Sequence, residues 1–463
     1  MNKKLIFFIL IIIIVALAFP AYENQRVEQI IAQKKAVLHA EGIDLSIEPK
    51  EGYFVSIRKF NLTLQKGEVI ALMLKENLVR FYPLYKDSIE AYFKKNQTTI
   101  AQSLEGMRFS GFITVDNLML NKPKLRIVLK ELPTILMQDI KNDPSASSIV
   151  LPWLDHGLIA FKVVFNQDGS LEHIAMRNFD EKFTSGIKKE ANHIQLLGNQ
   201  LMVLDKNSGE FQMQKASIES KNRAQKQTVL MQLKDLKYQF QYDDMLHESS
   251  NLNIGDFVIN LNDTQKSTKF SINNFTVNSH SDSDKEKTNF MAEYKIGAMN
   301  FLGYQQLLKL HQLNLKVTFS GLNTPAVKSF IRTYGHKITQ QPPNQMFLQN
   351  DVMAIINQGF NLKVDGGINE TQYAIFALKA FDFSINLKVA PNTLNSNSQP
   401  EEFEQFISIS SDIMITQNDI DQLSVINPKL VEELKKYAKK DGDHLLFHIV
   451  LDKSKISIND KEL

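Results

Sequence analysis

Leu236-Lys237-Tyr238-Gln239-Phe240-Gln241-Tyr242 places an apolar or aromatic residue at every second position and a polar one between. A β-strand turns its side chains to opposite faces with period two, so this stretch reads as a strand with one dry face and one wet face. The device recurs on both sides. Phe211 and Met213 precede it; Phe257, Ile259 and Leu261 follow, then Phe270 and Ile272 with Phe275 and Val277. Lys, Gln, Asn, Asp or Ser fill the gaps, and polar turns separate the runs. Strands buried on one face alternate in this way, and they pair antiparallel. The repeats have no fixed period, so the pattern is a meander and not a solenoid.

Upstream the same logic gives strands at Phe60–Leu64, Glu68–Leu74, Phe112–Leu120 and Leu125–Leu129. A hairpin joins Leu158–Phe165 to Leu171–Met176 around Asn166-Gln167-Asp168-Gly169. Asp143 to Ser148 reads as a loop, and the only tryptophan, Trp153, reads as a core plug. Helical spacing is expected over 23–40, 87–95, 324–334, 346–358 and 419–440, the last broken at Pro428. Thr324 is the expected N-cap of the third of these, with Pro325 in its first turn. Phe330, Ile331, Val352 and Ile356 are expected to cap one end of the sheet's apolar side as structural residues. The fold class is therefore mainly β with peripheral helices (α+β): a large curved antiparallel sheet or meander with a few packed helices.

The N-terminus is of a different kind. Leu5 to Phe19, LIFFILIIIIVALAF, is an unbroken apolar run behind Lys3 and Lys4. Its fifteen residues cover roughly 22 Å as a helix against a bilayer core of about 30 Å, so Ala21 and Tyr22 are needed to bring it near spanning length. A retained signal anchor and a cleaved signal peptide, with Ala16 and Ala18 at an A-x-A site, compete for this segment. The density of Ile and Phe up to Val15 favours the anchor. Either way Lys3 and Lys4 stay cytoplasmic and the bulk is exported. The expected organisation is 1–22 signal anchor, 23–42 amphipathic stalk helix docking on the first sheet, 43–310 β-rich region, and 311–463 a strand-helix-helix-strand unit with C-terminal strands and helix.

Composition narrows function mainly by exclusion. With 463 residues the chain is long enough for one or two large cores. It has no cysteine, which removes disulfides, thiol catalysis, thiolate metal sites and a lipid-modified N-terminal Cys. Lys+Arg 53 against Asp+Glu 51 leaves a net charge of +2, so no overall field points to nucleic acid. No phosphate loop, dinucleotide fingerprint or nucleophile elbow is present. His247-Glu248-Ser249-Ser250 opens like a zinc-protease helix but lacks the second ligand and reads as a loop. His444 and His448 share a strand face, two ligands where zinc needs three or four. Asp282, Asp284 and Glu286 lack the glycine and distal Glu of a calcium loop. Glu401, Glu402 and Glu404 read as a solvated helix start or loop. No catalytic, cofactor-binding or metal residue is assigned.

The N-terminal run, the strand-to-helix corner LNLKVTFSGLNTPAV, the return QGFNLKVDGG and the closing ISSDIMITQNDIDQL together resemble the YdgA-like family of bacterial envelope proteins, a domain of unknown function. The resemblance implies a protein anchored in the bacterial inner membrane by a single pass, N-terminus cytoplasmic, with a large periplasmic β-rich domain. It brings no catalytic residues. The expected function is a non-enzymatic structural or interaction role in the envelope. The alternative is binding or transfer of lipid or another apolar ligand in a hydrophobic groove of the sheet. Expected partners are the bilayer, through Leu5–Phe19, and envelope proteins or a lipid.

Overall fold

The computed structural model describes residues 29, 32 and 35–462, except 53–54, 82–85, 117–122, 167–169, 186–189, 206, 223–225, 245, 265, 304–305, 336–344, 374–375, 395–397, 399 and 453–454. The expected anchor at 1–22 lies outside the described residues. So do the Gln341-Pro342-Pro343 break and the end of the strand expected at Phe112–Leu120. Among the described residues no helix is long and apolar enough to cross a membrane. Of the expected stalk, 35–40 is helical and mostly exposed, with Val37 turned to solvent, and Gly42 stops it in the left-handed conformation.

The chain divides into two compact units, 1–187 with 196–206, and 188–195 with 207–463. The first contains β1 (Ile43–Ile47), β2 (Val55–Leu64), α1 (Gly67–Phe81), α2 (Lys86–Gln102), β3 (Arg108–Asp116), β4 (Lys124–Glu131), α3 (Thr134–Asn142), α4 (Pro144–Asp155), β5 (Ala160–Phe165), β6 (Leu171–Met176) and β7 (Phe179–Ser185). After β8 (Glu190–Leu197), which counts mainly with the second unit, comes β9 (Gln200–Val203). The neighbour order is β1-β2-β3-β4-β5-β6-β9, all antiparallel.

Three expectations in this unit need correction. Glu68–Leu74 is not a strand but the start of α1. Its Ile70, Leu74 and Leu78 recur every four residues, and Gly67 lets the helix start approach Ala101, whose carbonyl oxygen would lie 2.1 Å from an added Cβ. The helix expected at 87–95 runs on to Gln102. Asp143 to Ser148 is a helix start, not a loop: the Asp143 carboxylate accepts from the Ser145 and Ala146 N–H groups, and Pro144 takes the first helical position. Helices therefore exceed the five expected segments, with α1, α3 and α4 added here. Trp153 of α4 is half-buried and stands edge-on to Phe179 at 5.0 Å and Phe183 at 5.4 Å.

The second unit contains β10 (Ser208–Asn222), β11 (Gln227–Asp244), β12 (His247–Asn262), β13 (Ser267–Ser283), β14 (Lys287–Gly303), β15 (Gln306–Asn323), α5 (Thr324–Gly335), α6 (Gln345–Asn357), β16 (Phe360–Tyr373), β17 (Phe376–Leu378), β18 (Phe381–Val389), α7 (Pro400–Glu404), β19 (Ile407–Thr416), α8 (Gln417–Ile426), α9 (Pro428–Tyr437), β20 (Lys439–Asp441), β21 (His444–Asp452), β22 (Lys455–Ile458) and β23 (Lys461–Glu462). The sheet is an antiparallel meander, β10-β11-β12-β13-β14-β15-β16-β18-β19-β21-β22-β23. The expected 310/311 division falls inside β15, an 18-residue strand.

Helices pack on this sheet at two places. At one, Val327 of α5 joins Leu246 and Leu322, with Phe290, Phe319, Ile331, Ile355 and Phe360 against them. At the other, Ile420 of α8 and Val431 of α9 close on Ile415, Leu445 and Phe447. Of the expected cap residues, one gives way to a neighbour on its helix. Ile331 belongs to the cluster, but Val352 is 37% exposed and Ile355 takes its place. The cap of α5 is Asn323, which accepts from the Ala326 N–H at 2.9 Å. Thr324, the expected cap, is buried with its hydroxyl 2.8 Å from that of Thr288.

Candidate functional site

The surface with the best claim to function is the apolar face of β10–β15. Strand register aligns its side chains into rows across the sheet. One row is Leu236, Ile254, Phe275, Ile296 and Leu313; another is Leu233, Phe257, Ile272, Met299 and Leu310. Within each strand these two rows lie three residues apart, not two, so the alternation changes phase between them.

A third row, between those two, explains the phase change. Between the paired residues Lys234–Asp256 and Leu236–Ile254, Asp235 faces Gly255. Continuing across the sheet, Asn274, Gly297 and Gln312 occupy the matching positions. Asp235, Asn274 and Gln312 have φ of 52°, 53° and 51°. Such values in a non-glycine residue belong to the left-handed region, and Asp and Asn tolerate it best. A Cβ on Gly255 would lie 2.9 Å from the Cβ of Asp235, and one on Gly297 3.0 Å from that of Asn274, so the glycines make room for their neighbours. In β11, β13 and β15 helical dihedrals turn the chain about 100° per residue at this position, so its two neighbours go to opposite sides instead of the same side. The unshifted pairing on either side carries the same change into β12 and β14 at Gly255 and Gly297. The break in backbone phase cancels the break in sequence phase. The apolar residues before and after the crease stay on one face.

That face is half open. Met231 is 44% exposed, Tyr238 37% and Leu261 45%, and none of them belongs to a buried cluster. The strands run 15–18 residues, about 50–60 Å at 3.3 Å per residue.

The opposite face is polar and internally neutralised. Lys237 meets Glu210 at 3.1 Å, Lys295 meets Glu293 at 2.9 Å and Lys363 meets Asp365 at 3.0 Å. Burial raises the Glu210 carboxyl, but hydrogen bonds from Gln212, Gln239 and Lys237 outweigh it and hold the group below its ordinary value. Hydrogen bonds from Lys295 and Asn278 lower Glu293. Amide ladders such as Asn253–Thr276 and Asn278–Glu293 fill the spaces. Ion pairs and amides at this spacing account for a wet sheet face without any further role.

The residues weighed for chemistry are scattered over this unit. His247 opens β12 and is not in a loop. Its Nδ1 lies 2.9 Å from Asp244 Oδ2 and its Nε2 2.6 Å from the Ser283 carbonyl oxygen. His448 pairs with Asp412 at 2.7 Å, while the hydroxyl in the same row, Ser384, donates to Asp365. His444 lies four residues away at the start of β21. Asp284 accepts the Glu286 and Lys287 N–H groups and so builds a turn. Glu401, Glu402 and Glu404 lie in the short helix α7. Among the described residues no group of three or more His, Asp or Glu could hold a metal. The sequence reading listed the strands of the open face but missed the crease. Its signal was there: Ile272 and Phe275, or Leu310 and Leu313, are spaced by three within otherwise alternating runs.

A family model described as "Bacterial protein of unknown function (DUF945)" matches residues 172–365, which include β10–β15. No curated protein and no solved structure matches the chain.

Proposed function

We propose that this is a non-enzymatic bacterial envelope protein, tethered to the inner membrane through Leu5–Phe19, with its bulk in the periplasm and the open face of β10–β15 as its interaction surface. The observation that carries the reading is the continuity of apolar rows on that face combined with its exposure. A core would bury Met231 and Leu261; here they remain 44% and 45% exposed. Contiguous exposed apolar surface on this scale marks an interaction site.

Lipid acyl chains are the occupant favoured over a protein partner. The crease keeps the apolar strip unbroken along the strands, and two hydroxyls that the register sets on this face, Ser250 and Ser279, bond to each other at 2.8 Å, which suits a chain that needs no hydrogen bonds. A protein interface would normally mix an apolar centre with a polar rim and matched hydrogen bonds. The test is purification of the full chain from detergent-solubilised membranes, with lipid identification by mass spectrometry. Enrichment of particular lipids over bulk membrane composition supports the lipid reading; bulk composition or none overturns it in favour of a protein partner. Carbonate washing checks the tether. Release of the chain into the soluble fraction contradicts it.

A further inference from the structure

The first unit has a different kind of surface on the outward side of β2–β5. In β2 the usual order is inverted: Ser56 and Arg58 are buried while Val55 and Ile57 face out. Across the same face, Ile57 is paired with Thr114, Thr114 with Lys124, Phe112 with Arg126, and Arg126 with Lys162. Thr114, Lys124, Arg126, Lys162 and Arg177 line a groove of about 550 Å³, with Ala175 and Met176 among the apolar residues of its wall.

Charge in this groove is uncompensated. Arg126 and Lys162 stand directly opposite one another on adjacent strands, an arrangement that costs stability because like charges face each other. Among the described residues the groove lining contains no carboxylate. Among the described residues Lys124, Arg126 and Lys162 have no ion-pair partner, and Arg177 gives one donor to the Gly157 carbonyl oxygen at 3.3 Å. Several sheet lysines elsewhere are matched, Lys59 with Glu51, Lys234 with Asp256, Lys237 with Glu210 and Lys295 with Glu293. Lys269 and Lys388, which have no ion-pair partner among the described residues, do not face a second cation across a strand pair. The chain as a whole is close to neutral, at +2, and holds only eight arginines, two of which sit here. A general basic bias therefore does not explain the cluster.

We propose that the groove lined by Lys124, Arg126 and Lys162 is a binding site for a phosphoryl oxyanion, either free phosphate or the head group of a phosphorylated lipid. Arg126 supplies a planar fork that matches two phosphate oxygens, and the lysines supply point charges on either side of it. The Thr114 hydroxyl, opposite Lys124, adds a neutral donor. The groove volume lies within the range of small-molecule sites, about 300–1,000 Å³. The rival reading is a solvated face that binds nothing.

The two readings separate on the detergent-solubilised full chain. Calorimetric titration is run with inorganic phosphate and, separately, with dihexanoyl phosphatidic acid. The comparison set is wild type, Arg126→Gln with Lys162→Gln, and Lys363→Gln as a control on the other unit. Saturable binding of phosphate, weakened at least tenfold in the double variant and unchanged in the control, supports the site with free phosphate as ligand. Binding of the lipid alone, with the same dependence, supports it with a head group as ligand. Binding of neither, or binding that the double variant retains, overturns it. Lys162→Glu guards against misfolding as an explanation. It sets a carboxylate opposite Arg126, so the melting temperature should rise or hold while anion binding is lost. The site is independent of the open face of β10–β15 and stands or falls separately from it.

Discussion

The meander of the second unit carries the same kind of apolar face along its length but is covered unevenly: α8 and α9 close one end, α5 and α6 close on Phe290 and Phe319, and much of β11–β14 lies open. Over β18, β19 and β21, Ile415, Leu445 and Phe447 sit beneath α8 and α9 and are 4–8% exposed. Over β11–β14, Met231, Tyr238 and Tyr294 occupy equivalent strand positions and are 37–44% exposed. Alternation alone therefore does not make a core. A sheet face becomes one only when a second layer closes on it, and the helices that could do so are placed by cap chemistry outside the strands, such as Thr416 accepting from the Asp419 N–H. The covered end should carry stability, and the open end should carry little of it.

The largest effect tests the covered end. Phe447→Ala removes a ring buried among Ile420, Val431 and Leu445, and should cost about 3–5 kcal/mol in a denaturant titration. That is a large part of the roughly 5–15 kcal/mol typical of a domain. A loss below about 1 kcal/mol would mean that α8 and α9 do not close the core.

The crease comes next, because both halves of the open face depend on it. Asn274→Val forces a β-branched side chain into φ of 53° and should cost about 1–3 kcal/mol. Asn274→Gly accepts that conformation freely and should change stability by less than about 1 kcal/mol. Equal losses for Val and Gly in thermal melts would show that the side chain, not the backbone, matters at this position.

Much of this was legible in the sequence. Phe270, Ile272, Phe275 and Val277 display both the alternation and its interruption, and the corner before α5 announces itself through Asn323, Thr324 and Pro325. The first unit was harder to read. Val69-Ile70-Ala71-Leu72 looks like a buried strand over a short window, and only Leu74 and Leu78 beyond it reveal a helical period. Asp143-Pro144 looks like a turn because an N-cap and a turn use the same residues; what decides is whether the next residues continue as a helix. The groove of Lys124, Arg126 and Lys162 was hidden because it is made by register between β4 and β5, which local patterning does not contain.

A smaller effect concerns His247, which ties the β11–β12 turn to the end of β13 beside the cluster under α5. Both ring nitrogens face acceptors, Asp244 and the Ser283 carbonyl, with Asp282 at 3.9 Å, so only the imidazolium satisfies both. The hydrogen bond to Asp244, then that to Ser283, raises its pKa above 6.5. The group whose folded pKa is raised binds its proton more tightly in the folded state. Its contribution is therefore complete below the unfolded value and is lost as pH rises through the folded one. Wild type should melt progressively lower on going from mildly acidic to mildly alkaline buffer, and His247→Gln should flatten that part of the curve. Parallel curves for the two proteins would show that the clasp is not coupled to folding.

The smallest effect on stability discriminates most sharply between the two ends. If Met231 and Tyr238 belonged to a core, replacing them by Ser would cost several kcal/mol; at 44% and 37% exposure they should cost about 0.5 kcal/mol or less. Serine keeps the backbone tolerant of a strand while removing apolar area from the open face. In the lipid-retention assay the double variant should come away from membranes with less bound lipid than wild type, at an unchanged melting temperature. A lower melting temperature with lipid retained would turn the face into ordinary core with a ligand elsewhere. An unchanged melting temperature with lipid retained would leave the open end of the meander without the role that its exposure suggests.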